Sequence, residues 1–325
     1  MQSVLSGMRP TGKLHLGHLE GVLKSYVEMQ DKYECYFMVA DWHALTTDYE
    51  KPGQIPENSL EMLKDWMSAG LRPDKAIMFV QSAVKEHAEL FLLLSLITPV
   101  PWLERNPTYK EQKQELMTKD LSTYGFLGYP VLQAADILLY KASKVPIGED
   151  QRPHLELTRE IARRFNNYYG QYFVEPQEIL TQYPKLPGID GRKMSKSYDN
   201  AIYMTDDENT VNTKTGKMFT DPTKVRKNDP GHPDKCVVCA FHKIYNVAEC
   251  ATVEAECIAG TRGCVDCKKA VAIKINERLT PIRQKRAEID KNPDKIMEIM
   301  KDGNKRAGIT AAQTMANVRK LMNLG

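Results

Sequence analysis

Apolar and polar positions along the chain follow two periods, and the switches between them predict its elements. Val4-Leu5-Ser6-Gly7-Met8 is a short apolar run interrupted by a glycine, which predicts a strand. From His15 onward Leu19, Val22, Leu23, Tyr26 and Val27 recur on one face, the spacing of a helix. Cys35 to Ala40 is apolar without a break, as in a parallel strand covered on both faces. Asn58 to Ala69 returns to the helical period, with Asn58 as the expected cap and Glu61 as its partner. Ala76 to Val80 predicts a third strand. This strand–helix alternation predicts the α/β class with a Rossmann-like, doubly wound parallel sheet. Such sheets bind ligands beyond the carboxyl ends of their strands, here at Met8-Arg9-Pro10, Asp41-Trp42-His43 and Gln81-Ser82.

After residue 200 the pattern changes. Thr205 to Lys235 is polar and rich in Asp, Thr, Lys and Pro, which marks a domain transition, and only helical patterns follow it. The expected division is a Rossmann-like catalytic domain over 1–200 and an α-helical domain over 201–325. A chain of 325 residues is long enough for two such domains. The longest apolar stretch, Leu90 to Val100, is too short to span a membrane and is expected as a buried helix. No basic segment followed by an apolar run opens the chain, so the expected location is cytoplasmic with no membrane contact. Net charge is +3, but from Thr261 to Gly325 there are 15 Lys and Arg against 7 Asp and Glu. That imbalance suits either a polyanion contact or a solvated helical surface.

Two segments carry chemistry. Thr11-Gly12-Lys13-Leu14-His15-Leu16-Gly17-His18 joins a strand to a helix, where glycines permit close backbone approach and free N–H groups are expected to face an anion. His15 and His18 share the first helical turn and can donate to phosphate oxygens; a metal pair or plain surface histidines are the alternatives. Lys193-Met194-Ser195-Lys196-Ser197 is a cationic, hydroxyl-rich loop suited to a polyphosphate whose charge shifts during reaction.

Together these segments resemble the class I aminoacyl-tRNA synthetases, whose signatures are His-x-Gly-His and Lys-Met-Ser-Lys-Ser. Ala40 to Thr46, Asn106-Pro107-Thr108, Tyr129 to Leu138, Gly148 to Gln151, Asp229-Pro230-Gly231 and the C-terminal helix are similar to the tryptophanyl-tRNA synthetases. The resemblance implies activation of L-tryptophan by ATP with Mg2+, transfer to tRNA(Trp), an α-helical anticodon-binding domain, and a homodimer. It implies catalytic roles for His15, His18, Lys193, Lys196 and Ser197. It implies ATP contacts from Arg9, Pro10, Thr11, Gly17, His18, Gly148, Glu149, Asp150, Leu186 and Lys193 to Ser197 (Met194 and Ser195 included). Asp136 matches the carboxylate that accepts the indole N–H, with Leu5, His43, Gln133, Val145, Ile147 and Gly148 as further contacts. Gln133 departs from the pattern of many members, and a Gln three residues before an Asp resembles the tyrosine enzymes. A tyrosine–tRNA ligase, another nucleotidyl transferase with His-x-Gly-His and a catalytically silent RNA-binding paralogue therefore stand as alternatives.

Six of the seven cysteines fall between 236 and 267, which in a cytosolic chain points to metal. Cys236-x-x-Cys239 with Cys264-x-x-Cys267 is a zinc-type arrangement. Cys257, Cys264 and Cys267, with Cys236 or Cys239, suit a [4Fe-4S] cluster, and some tryptophanyl enzymes resemble that pattern. Reduced thiols are the third reading. Arg262, Lys268, Lys269, Arg283, Lys285 and Arg286 are candidates for the anticodon arm.

Overall fold

The computed structural model describes residues 2–107, 109, 121–180 and 186–324. Thr108 of the Asn106-Pro107-Thr108 segment lies outside the described residues, and so does the side chain of Ser197. Five parallel strands form one sheet among these residues: β1 (Ser3–Met8), β2 (Glu34–Val39), β3 (Ala76–Val80), β4 (Lys144–Ile147) and β5 (Gln177–Leu180). Their order is β3-β2-β1-β4-β5, the doubly wound order with its reversal at β1. Val4 pairs with Cys35 on one side and Lys144 on the other, and Cys35 pairs with Ala76. The apolar run of β2 is buried from Cys35 to Val39, as an interior parallel strand requires.

The three predicted strands form within a residue or two of their expected ends. The helix expected from Asn58 begins earlier, at Ile55. Pro56 supplies the first turn, where a missing N–H costs nothing, so Asn58 lies inside the helix and does not cap it. The stretch Leu90 to Val100 is not one buried helix. A helix runs over Glu86–Ser95, a second starts at Val100, and Leu92, Leu96 and Val100 are exposed. Among the described residues no helix is long and apolar enough to cross a membrane.

The chain forms two compact units, and they do not follow the 200/201 boundary. One comprises residues 1–12, 26–182 and 292–325; the other comprises 13–25 and 183–291. The long C-terminal helix Pro293–Leu321 belongs to the sheet unit because it packs directly on β3. Gly303 makes this possible, since a Cβ there would lie 1.8 Å from the Met78 carbonyl oxygen. Asn304 Oδ1 accepts the Val80 N–H at 2.9 Å, and Arg306 donates to the Pro73 carbonyl at 2.9 Å. The segment 13–25 joins the other unit through its own hydrogen bonds. Leu16 N–H donates to Ile202 O and Met204 N–H to Leu14 O, both at 2.9 Å. Glu20, 7 % exposed, takes Arg278 Nε at 3.2 Å.

Candidate functional site

In the unit formed by 13–25 and 183–291, the two anion-oriented segments touch. His15 precedes a short helix, Leu16–His18, which continues as a wider turn over Leu19–Leu23. The imidazoles of His15 and His18 stand 3.8 Å apart, centroid to centroid. The N–H groups expected to be free are largely taken: His15 N donates to His18 Nδ1, Leu16 N to Ile202 O and His18 N to His15 O. Any anion at this turn would therefore be met mainly by the side chains. Because His18 Nδ1 accepts, its hydrogen sits on Nε2, and the ring offers a neutral donor. Burial lowers His15 to about 4, and burial together with its neighbour His15 lowers His18 to about 3. Both rings are uncharged at neutral pH. A side chain built on Gly17 would lie 3.0 Å from the His15 ring and 3.9 Å from Met194 Sδ, so the lysine–serine loop packs against this turn.

That loop is pinned at its base and polar at its tip. Asn200, 1 % exposed, accepts the Ser195 N–H at 2.8 Å and donates to Asp190 and to the Lys193 carbonyl. Gly188 is required beneath it, since a Cβ there would lie 2.2 Å from Asn200 Nδ2. Gly191, at φ +87, closes the turn that returns the chain to Lys193. Lys193 and Lys196 are exposed, while Met194 and Leu186 are buried.

In the sheet unit the strand ends carry a second polar group. Asp136, on the helix Tyr124–Leu139, is 1 % exposed. Its Oδ1 accepts from Gln81 Nε2 at 2.8 Å and from His87 Nδ1 at 2.6 Å, and its Oδ2 accepts from His43 Nε2 at 2.7 Å. Burial alone pushes this carboxyl up, but the hydrogen bonds from His43 and His87 hold it below the usual carboxylate range. His43 lies on the helix that follows β2, Gln81 directly follows β3, and Leu5, Val145 and Ile147 line the same core. Gln133 is half-buried one turn before Asp136. Arg9 follows β1, reaches Thr47, and lies 3.6 Å from Asp48, with Pro10 buried and Thr11 exposed beside it. Gly148 carries Asp150 folded over it, where a Cβ would lie 2.6 Å from Oδ1, and Glu149 and Asp150 are exposed.

Sequence reasoning passed over His87, Tyr140 and His154, and gave Tyr129 no role beyond opening the Tyr129–Leu138 segment. Tyr129 Oη lies 2.8 Å from His154 Nε2, and His154 Nδ1 lies 3.0 Å from Gln151 Oε1. Histidine spacing along the chain does not reveal such a contact.

Residues 1–280 match the family described as tRNA synthetases class I (W and Y). A tryptophan–tRNA ligase of Thermotoga maritima is 51 % identical over 324 residues, covering 99 % of each chain. The chain belongs to the tryptophan–tRNA ligases. A tryptophan–tRNA ligase of Aquifex aeolicus is 44 % identical over 392 residues, again covering 99 % of each. A tryptophanyl-tRNA synthetase from Campylobacter jejuni, solved with ADP and tryptophan, superposes with a TM-score of 0.89 at 31 % identity, covering 99 % of this chain and 100 % of that one.

In this ligase family member five cysteines line one pocket: Cys236, Cys239, Cys257, Cys264 and Cys267, with Lys224 and Arg262 beside them. Cys250 does not line it. Among the described residues no three His, Cys, Asp or Glu side chains are already drawn together as a metal site. Cys236 precedes the helix Val237–Tyr245, and the hydrogen bond from Cys239 outweighs burial and lowers its thiol to about 6. His242, fully buried, accepts from Asn246 at Nδ1 and so donates from Nε2, toward Cys267 Sγ at 3.3 Å and Cys267 O at 3.1 Å. Of the candidate basic residues, Arg262 pairs with Glu256, Arg286 with Asp290, and Arg283 donates to Asp206 O and Asn276. Lys268 donates to Gly216 O, whereas Lys269 and Lys285 are exposed.

Proposed function

We propose that this chain activates L-tryptophan with ATP, carrying Mg2+ on its phosphates, and transfers the tryptophanyl group to tRNA(Trp). The carboxylate of tryptophan attacks the α-phosphorus, the bond to the bridging oxygen breaks, and pyrophosphate leaves. No protein nucleophile is required; the protein supplies position and charge. His15 and His18 donate to phosphate oxygens as neutral imidazoles, and Lys193 and Lys196 neutralise the departing pyrophosphate, with Ser197 beside them. Met194, Ser195, Gly17 and Leu186 complete the nucleotide contacts of that unit. Arg9, Pro10, Thr11, Gly148, Glu149 and Asp150 supply those of the sheet unit. Asp136 accepts the indole N–H, and Leu5, His43, Gln133, Val145, Ile147 and Gly148 shape the amino-acid pocket. The observation that carries this reading is the packing of Met194 against the His15–His18 turn, which joins the two anion-oriented motifs in one compact unit.

Tryptophan-dependent pyrophosphate exchange tests it. Exchange is expected with tryptophan and not with tyrosine, and Lys196→Ala is expected to slow it by about 100- to 1,000-fold. Exchange driven by tyrosine alone would overturn the choice of substrate.

The cysteine pocket supports a [4Fe-4S] cluster held by Cys236, Cys257, Cys264 and Cys267, with Zn2+ the competing occupant. The soft donor set fits either group. Lys224 and Arg262 line the pocket and would offset part of its negative charge, and the His242 N–H would satisfy one sulfur. Class I activation needs no electron transfer, so the group would supply a rigid support for the anticodon arm, with Lys269 and Lys285 on its backbone. Exposed Leu92, Leu96 and Val100 support a homodimer.

A further inference from the structure

Asp136 ends a chain of polar groups that runs through the core of the sheet unit. His87, with no exposed surface, gives Nδ1 to Asp136 and meets the hydroxyl of Tyr140 at Nε2, 2.8 Å away. Tyr140 is 3 % exposed, and its ring stacks on Tyr36 at 4.6 Å and lies 5.3 Å from Phe79. Tyr36 is in turn fixed through its own hydroxyl to Glu34 and Thr310. The ring of Tyr140 is therefore held where its hydroxyl reaches His87.

Hydrogen positions follow from the donors. An ionised carboxylate only accepts, so His87 must carry a hydrogen on Nδ1. The buried hydroxyl of Tyr140 meets Nε2 at 2.8 Å, and with the hydroxyl as donor that nitrogen keeps its lone pair and His87 is neutral. Each carboxylate oxygen offers about two acceptor sites. Gln81 and His87 fill both sites on Oδ1, and His43 fills one on Oδ2. Among the described residues one acceptor site remains, on Oδ2. The opposite tautomer of His87 would set a bare Nδ1 against Oδ1 at 2.6 Å, tolerable only if Asp136 took up a proton.

We infer that Tyr140 is a positioning residue for substrate selection. By donating to His87 Nε2 it locks the Nδ1–H tautomer and keeps Asp136 an acceptor-only carboxylate with one open site for a ring N–H. This rests on the reading of Asp136 as the group that receives the indole. His87 is the intermediary, and neither it nor Tyr140 touches the substrate.

The test uses the full chain, tryptophan, and the analogue β-(benzo[b]thiophen-3-yl)alanine, in which sulfur replaces the indole N–H. Tyr140→Phe is expected to raise KM for tryptophan about ten-fold, the scale of one charge-assisted hydrogen bond, with kcat and the analogue's KM nearly unchanged. Equal losses on both substrates, or no loss on either, would overturn the inference. Asp136→Asn is expected to erase the preference for tryptophan over the analogue. If Asp136→Asn keeps that preference, the reading of Asp136 fails and the inference with it. If Asp136→Asn loses it while Tyr140→Phe keeps it, the inference alone fails. Nitrogen NMR of the unmodified chain, with His87 assigned through His87→Gln, gives an answer even if Tyr140→Phe does not fold. Protonated Nδ1 and unprotonated Nε2 are expected, and a protonated Nε2 overturns the proposal.

Discussion

His15, His18 and His154 share one property: burial lowers His15 and His154 to about 4 and His18 to about 3. An unfolded chain takes up protons on these rings near pH 6.5. The folded chain does so only on approaching pH 4. Between those values the unfolded state binds more protons, so stability is full above about pH 6.5 and falls as pH drops toward 4. Urea unfolding at pH 7.5, 5.5 and 4.5 should show a progressive loss across that window. Equal unfolding free energies at pH 7.5 and 4.5 would contradict the burial of these rings. Neutral donors also suit His15 and His18 to their proposed work, because an uncharged imidazole can release pyrophosphate more readily than a cation would. The motifs that hold His15, His18, Lys193 and Lys196 stand out in the sequence because each is contiguous, and their proposed roles rest on the packing of one against the other. His87 and Tyr140 do not stand out, because the contact joining them spans 53 residues.

At the level of elements, the helix Cys264–Asp290 shows how one rod serves two tasks. Its first turn presents Cys264 and Cys267 to the cysteine pocket, and Arg278 farther along holds Glu20. Protein purified without oxygen should be brown with broad visible absorption if the pocket holds an iron–sulfur group, and Cys264→Ser should bleach it. A colourless protein with one bound zinc would assign the pocket to Zn2+ instead. Three of the five strands were read from sequence, since an uninterrupted apolar run such as Cys35 to Val39 fits a strand covered on both faces, whereas the four-residue β4 and β5 were not. Helix limits were less legible. Ile55 and Pro56 begin a helix that apolar periodicity places at Asn58, because a proline-initiated first turn need not be apolar.

The whole molecule departs from a simple division into front and back halves. Sequence composition changes after residue 200, yet residues 292–325 join the sheet unit and 13–25 leave it. Composition could not reveal this, because the deciding contacts are single and distant in sequence: Gly303 and Asn304 against β3 for the last helix, and Leu14, Leu16 and Glu20 against Met204, Ile202 and Arg278 for 13–25. Dimerisation belongs to this scale too. Leu92 and Leu96 are 57 % and 71 % exposed, one helical turn apart. Sedimentation should find a dimer, and Leu92→Asp with Leu96→Asp should shift it to monomer at micromolar concentration; a dimer unaffected by both would move the interface elsewhere.

The bond between Val80 N–H and Asn304 has a consequence in time. Those two residues are 224 positions apart, and during synthesis at about 5–20 residues per second the free edge of β3 waits about 10–45 s for its covering helix. Throughout that interval the nascent sheet presents an open strand edge, the kind of surface that invites pairing with another chain. Protection of nascent chains would therefore matter most before residue 303 emerges, and the glycine there sets how closely the late-arriving helix can seal the edge.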